Sequence, residues 1–117
     1  MAETVTETSL ALDYGESEVE KSNLELVWDM ENTELPRLGA AKVAFLCTLY
    51  DYKEIGPRMQ GLIFGVIKSV YIEDQIIDES THRVDAEKLS PLGRLGGDDY
   101  ALFGEVKTVK RPRYSPS

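Results

Sequence analysis

A net charge of −8 on 117 residues, 42% of them hydrophobic and 29% charged, fits one globular domain with a modest core and leaves no room for a second. Such acidity argues against nonspecific nucleic-acid binding, which needs cations to neutralise phosphates. No run reaches the ~20 apolar residues of a membrane helix. Cys47 is the only cysteine, which excludes a disulfide framework and a cysteine metal site. With no signal-peptide pattern at the N-terminus, the expected compartment is cytoplasmic.

The acidity belongs to one segment. Residues 1–36 carry a net −9 and residues 37–117 a net +1, which divides the chain into an acidic N-terminal arm (1–36), a β domain (37–112) and a short tail (113–117). Within the arm, Glu16 to Leu26 is a candidate short helix with Ser17 as its N-cap. Val27, Trp28 and Met30 give the arm an apolar handle with which to pack on something. Leu35-Pro36-Arg37-Leu38-Gly39 then breaks the chain.

From Ala41 to Tyr52 period two is plain, with Val43, Phe45, Cys47 and Leu49 on one face, and it predicts a strand. Gly56-Pro57 marks a turn. The next run, Gly61 to Ile72, begins apolar on both parities: Phe64 and Val66 on one side, Ile63 and Ile67 on the other. It reads as a strand covered on both faces, paired antiparallel with 41–52. Gly65 is costly inside a strand unless backbone, ring or ligand comes close there. From Lys68 the pattern loosens. Gln75-Ile76-Ile77 is a short strand piece, Asp85 caps one helical turn to Leu89, and Ala101 to Lys110 is a last strand with Leu102 and Val106 facing inward. Strands dominate, so the class is mainly β, an antiparallel barrel or sandwich with short helices.

Few catalytic constellations can be built from these residues. His82, the one histidine, lies in a charged loop with no orienting partner nearby and reads as surface. Cys47 lies on the apolar parity of its strand and reads as a buried, inert thiol. The pairs Glu73-Asp74, Asp78-Glu79 and Asp98-Asp99 are adjacent, which places strand neighbours on opposite faces, and no metal-ligand spacing occurs. Lys107, Lys110, Arg111 and Arg113 form a basic patch that reads as a solvated edge. The loop Gly93-Arg-Leu-Gly-Gly97 stands apart. Its glycines permit positive φ and close backbone approach, Arg94 is a rigid fork suited to phosphate, and Tyr100 adds a ring with a polar tip. A tight turn whose arginine pairs with Asp98, Asp99 or the acidic arm fits the same residues more simply, and on the residues alone both readings stand.

The segment Pro91-Leu-Gly-Arg-Leu-Gly-Gly-Asp-Asp-Tyr100, followed by Lys110-Arg-Pro112, resembles the C-terminal signature of the flavin reductase-like, FMN-binding split-barrel family. Ala44-Phe45-Leu46-Cys47, Phe64-Gly65, Val84-Asp85 and the arm segments Thr8-Ser9, Gly15-Glu-Ser-Glu18 and Lys21 to Leu24 resemble further stretches of that family in order. The resemblance implies a split-barrel-like antiparallel sheet that is incomplete here, because the chain matches the latter part of the family and lacks its first barrel strands. It implies a cytoplasmic flavoprotein oxidoreductase that passes electrons from NAD(P)H through FMN, or a shortened relative of one. Arg94, Gly96, Gly97 and Tyr100 would then bind the cofactor. The open strand edges and apolar faces of an incomplete barrel lead to a homodimer or larger oligomer, and the acidity and lack of an apolar span to no nucleic-acid or membrane partner. Gln60, Val66 and Leu46 depart from the family, replacing polar residues usual near its active site. The alternatives are a non-enzymatic interaction module and a partial chain of a larger flavoprotein.

Overall fold

The computed structural model describes residues 17, 23–58, 60–114 and 116. Its frame is one long ribbon, strand β3 (Val43–Ile55) paired antiparallel with β4 (Gln60–Ile72) around the turn at Gly56. Gly56 takes φ 80°, which a side chain would resist. Three short hairpins complete the sheet structure: β1 (Leu26–Val27) with β2 (Arg37–Leu38), β5 (Ile77–Asp78) with β6 (Arg83–Val84), and β7 (Gly93–Arg94) with β8 (Tyr100–Ala101). Helix α1 (Ala86–Leu89) is capped by the Asp85 carboxylate, which accepts from the Glu87 and Lys88 N–H groups, and it ends at Ser90 in the left-handed region.

The ribbon register slips twice. Leu46 lies opposite Ser69 but Cys47 opposite Ile67, so Lys68 is unmatched; Leu49 lies opposite Gly65 but Asp51 opposite Phe64, so Tyr50 is unmatched. Each bulge swaps the parity of its strand and bends and twists it. One face therefore carries Phe45, Val70, Cys47, Ile67, Tyr52 and Ile63, and the other carries Leu46, Val66, Phe64, Leu62 and Ile55. The loosening of the pattern at Lys68 is the first bulge. The two strand glycines serve close approaches on the first face. A Cβ on Gly65 would come 3.1 Å from the Cys47 Cβ, and one on Gly61 would come 2.7 Å from the Tyr52 ring.

Several expectations are corrected. The apolar run of β4 is uncovered: every residue from Gln60 to Val70 whose burial is described is exposed, including Ile63 at 69% and Ile67 at 52%. Cys47 is exposed as well. Of the expected 101–110 strand only Ala101 is paired, as the end of β8, and Leu102 and Val106 are exposed, because a strand needs a neighbour to bond and none adjoins 102–110 among the described residues. Gln75 and Ile76 lie in a 3-10 turn (Asp74–Ile76) ahead of β5. The helix expected over 16–26 lies largely outside the described residues; at its described end Asn23 has φ 52° and Leu26 starts β1.

Packing concentrates at the base of the ribbon. Ile76, at 3% exposure, is the one buried apolar side chain among the described residues. Its carbonyl accepts from the Asp85 N–H at 2.7 Å, and the Glu73 N–H bonds the Lys42 carbonyl at 2.9 Å. Lys42 Nζ also donates to the Lys88 carbonyl at 2.6 Å, which ties α1 to the start of β3 and satisfies an orphan acceptor of the helix. On the other side the arm is clamped. Arg37 Nε and Nη2 each donate to Asp29 at 2.7 Å, and the guanidinium stacks 3.7 Å over the Tyr71 ring. Arg37 is thereby nine-tenths covered although Asp29 is 44% exposed. A bidentate fork that also stacks is a geometry lysine does not reproduce.

The clamp makes arm docking acid-sensitive. The hydrogen bond from Arg37, with its charge adding and desolvation opposing, holds the Asp29 carboxyl below its usual value. Asp78 is lowered by the Ser80 hydroxyl. A lowered folded value contributes stability that is complete above the unfolded carboxylate value of about 4 and is lost as pH falls through the folded value. Melting temperature is thus expected to be flat from pH 7 to 5 and to fall below about pH 4. Asp29→Asn removes part of that fall and the double variant with Asp78→Asn removes more. An unchanged acid profile in Asp29→Asn would show that the clamp does not hold the arm.

Candidate functional site

Hairpin β7–β8 is delivered by the packed base of the ribbon. Helix α1 leads through Ser90, Pro91 and Leu92 into Gly93, and the Lys42–Lys88 bond anchors that path. Gly93 pairs with Ala101 and Arg94 with Tyr100; a Cβ on Gly93 would already touch the Ala101 Cβ at 3.4 Å. Between the strands, the Leu95 N–H bonds the Asp99 carbonyl at 3.0 Å and the Asp99 N–H bonds the Gly96 carbonyl at 3.3 Å. Gly97 turns the loop at φ 64°.

All four sequence-derived residues thus meet on one hairpin. Arg94 Nη1 donates to the Tyr100 hydroxyl at 2.7 Å, with the guanidinium carbon 5.2 Å from the ring centroid. Of the partners in the tight-turn reading, Asp98 and Asp99 do not pair with Arg94, which bonds across the strands instead and makes no ion pair among the described residues. Most of the acidic arm lies outside the described residues. A guanidinium carries five N–H donors, so one bond to Tyr100 orients the fork without exhausting it. The N–H groups of Gly96, Gly97 and Asp98 donate to nothing among the described residues. Space stands open where a Cβ of Gly96 or Gly97 would lie, with no atom within 4 Å.

Chemically, the loop offers successive backbone donors beside an oriented guanidinium, the elements of a small anion cradle. The carboxylates of Asp98 and Asp99 oppose an anion from the same loop. His82 is exposed, with φ 55°, and is not part of the hairpin. Among the described residues no group of three histidine, cysteine, aspartate or glutamate side chains is placed to hold a metal, and no helix is long and apolar enough to cross a membrane.

Sequence reasoning missed two features. The Asp29–Arg37–Tyr71 clamp becomes visible only once β1 and β2 are known to pair, since nothing local in the sequence marks it. Arg83 joins Lys110, Arg111 and Arg113 around a single cleft; the three C-terminal cations were legible as a patch, but the contribution from β6 was not.

Comparison with known proteins gives the fold a context. The structure superposes on the 2-nitrobenzoate 2-nitroreductase NbaA of Pseudomonas fluorescens with a TM-score of 0.82 and 28% identity, over 99% of this chain and 56% of that one. On nitrilotriacetate monooxygenase component B from Bacillus cereus the TM-score is 0.80 with 25% identity, over 92% and 54% of the two chains. On a Shewanella frigidimarina protein called a flavin reductase with a split barrel domain it is 0.79 with 18% identity, over 94% and 55%. Curated relatives are an uncharacterized protein of Aquifex aeolicus, 44% identical over 62% of this chain and 36% of its own length, and YwrF of Bacillus subtilis, 27% identical over 94% and 55%. The chain therefore spans a third to a little over half of the length of these relatives. No family model matches it. The fold is flavin reductase-like, mainly β and antiparallel, without a closed barrel among the described residues.

The loop glycines differ in what they tolerate. Gly97→Ala places a side chain at positive φ and is expected to cost about 1–2 kcal/mol, whereas Gly96→Ala fills open space and leaves the ligand-free melting temperature nearly unchanged. Equal melting losses in both variants would contradict this loop geometry.

Proposed function

We propose that the chain is an FMN-binding flavin reductase-like oxidoreductase, or the FMN-binding part of one, that takes electrons from NAD(P)H. The observation that carries this reading is the β7–β8 loop, with an oriented arginine fork and unbonded glycine N–H groups, set in a fold shared with a nitroreductase and a monooxygenase component. Arg94 and the N–H groups of Gly96 and Gly97 would hold the FMN phosphate, with Tyr100 holding one end of the Arg94 fork by its hydroxyl. When bound, FMN supplies the redox chemistry, accepting a hydride and passing electrons on; the protein binds, orients and shields it. A homodimer in a cytoplasmic setting belongs to the same reading, because a second copy offers cover for the ribbon.

A second reading rests on the same bond. If Arg94 serves only to close the hairpin against Tyr100, with Asp98 and Asp99 repelling any phosphate, the chain is an interaction module that has kept the fold without the cofactor.

Titration with FMN, followed by its visible absorbance, separates the two. A charge-assisted hydrogen bond of about 1.5–3 kcal/mol corresponds to a 10- to 150-fold loss of affinity in Arg94→Ala. Arg94→Lys recovers only part of that loss because an ammonium lacks the fork. Failure of the wild type to bind at millimolar FMN, or a lower melting temperature in Arg94→Ala with affinity intact, leaves the module reading in its place.

Assembly is tested independently of flavin. Exposed apolar faces on both sides of a ribbon favour association that covers them. Sedimentation is expected to give a dimer or larger species at micromolar protein, and a compact monomer would contradict the homodimer.

A further inference from the structure

We propose that Arg83, Lys110, Arg111 and Arg113 form a second anion site that takes a pyrophosphate-type group, free or as part of a nucleotide. The inference does not rest on the flavin reading, since Arg94 lies on a different hairpin. The four cations, with Val109 and Pro112, line one open cleft of about 1020 Å³. Arg83 comes from β6 and the other three from the C-terminal segment, so the fold, and not sequence proximity alone, gathers them.

Asp78 lies across from Arg83 in the β5–β6 register, with its carboxylate bonded to Ser80. What requires explanation is that, among the described residues, no ion pair forms there or at the other three cations. Among the described residues no carboxylate lines the cleft either. Residues 37–117 hold eleven acidic side chains against twelve basic ones, so a carboxylate-free cleft is not a consequence of composition. Like charges gathered in one cleft repel, and the repulsion is relieved by a bound anion of high charge density. Three of the four are arginines, whose planar forks match phosphate oxygens bidentately, and Pro112 restricts the backbone between two of them. Val109 and Pro112 supply an apolar wall. The net charge of −8 repels a long polyanion at a distance, so a compact, multiply charged group suits the cleft better than a nucleic-acid strand.

Calorimetric titration of the full chain with tripolyphosphate, pyrophosphate and inorganic phosphate tests the site. Affinity is expected to rise in the order phosphate, pyrophosphate, tripolyphosphate and to weaken as salt is raised. Arg83→Ala and Arg111→Ala should each cost about tenfold or more, measured in an Arg94→Ala background so that the β7–β8 loop does not contribute to the signal. Because Arg111 lies outside every regular element, its variant tests the site without threatening the fold. ADP identifies the source: tighter binding than pyrophosphate supports a nucleotide occupant, and equal binding supports free polyphosphate. The proposal is overturned by absence of binding at millimolar pyrophosphate, by unchanged affinity in both arginine variants, or by a single-stranded oligonucleotide that binds more tightly than tripolyphosphate.

Discussion

Beyond its base, the β3–β4 ribbon is apolar on both faces and largely exposed. A two-stranded hairpin is marginal in water by itself. Fully burying side chains such as Phe45, Leu49, Ile63, Phe64 and Ile67 is worth roughly 1.5–3 kcal/mol each, together of the order of 10 kcal/mol, which is comparable to the whole stability of a small domain. These five remain from 42% to 70% exposed. The ribbon is thus the part of the fold with most to gain from cover, whether that comes from another copy or from further chain.

The rest of the molecule is attached where cover already exists. Ile76, the 3-10 turn, α1 and the Arg37 clamp all gather around the base of the ribbon, near Lys42, Tyr71 and Glu73. The clamp holds the arm there by a fork and a stack, and the Lys42–Lys88 bond holds the helix that leads to β7. Rigidity is supplied at the one end where both candidate anion sites have their roots, since β6 and β7 flank α1 on either side in sequence. The bulges at Lys68 and Tyr50 belong to the same logic. They add twist and curvature, by which a flat ribbon bends toward the wall of a barrel.

Much of this was legible in the sequence, for physical reasons that can be named. Alternation set the two ribbon strands, Gly56-Pro57 their turn, and Asp85 the start of α1, since each depends on local chemistry alone. The sorting of Phe64 and Val66 from Ile63 and Ile67 also held, because no bulge falls between them. Period two misled beyond Lys68, where an unmatched residue moves Val70 onto the face of Ile67. Exposure of Cys47 could not be read, because an apolar parity shows which face a residue occupies and not whether anything lies upon that face. The strand expected to reach Lys110 has apolar residues but no bonded neighbour. Arg94, Gly96, Gly97 and Tyr100 were identified as one loop, whereas the bond from Arg94 to Tyr100 required the register that places them opposite each other.

Cover and cofactor affinity are linked by the dielectric. A phosphate held only by the exposed Arg94 fork and loop N–H groups stays in contact with water, where a charge pair at 4 Å is worth only about 1 kcal/mol. The repulsion of Asp98 and Asp99 is then of similar size, and the balance is close to nil. Bringing a second surface over the hairpin excludes water and strengthens every term, attractive and repulsive alike, several-fold. The geometry decides which term gains more: the guanidinium is aimed by Tyr100 and the glycine N–H groups are fixed by the turn, whereas the two carboxylates have no partner that holds them toward the loop among the described residues. Preorganised donors gain most when solvent is removed. On the proposed reading, a surface brought over the β7–β8 hairpin would therefore strengthen phosphate binding there.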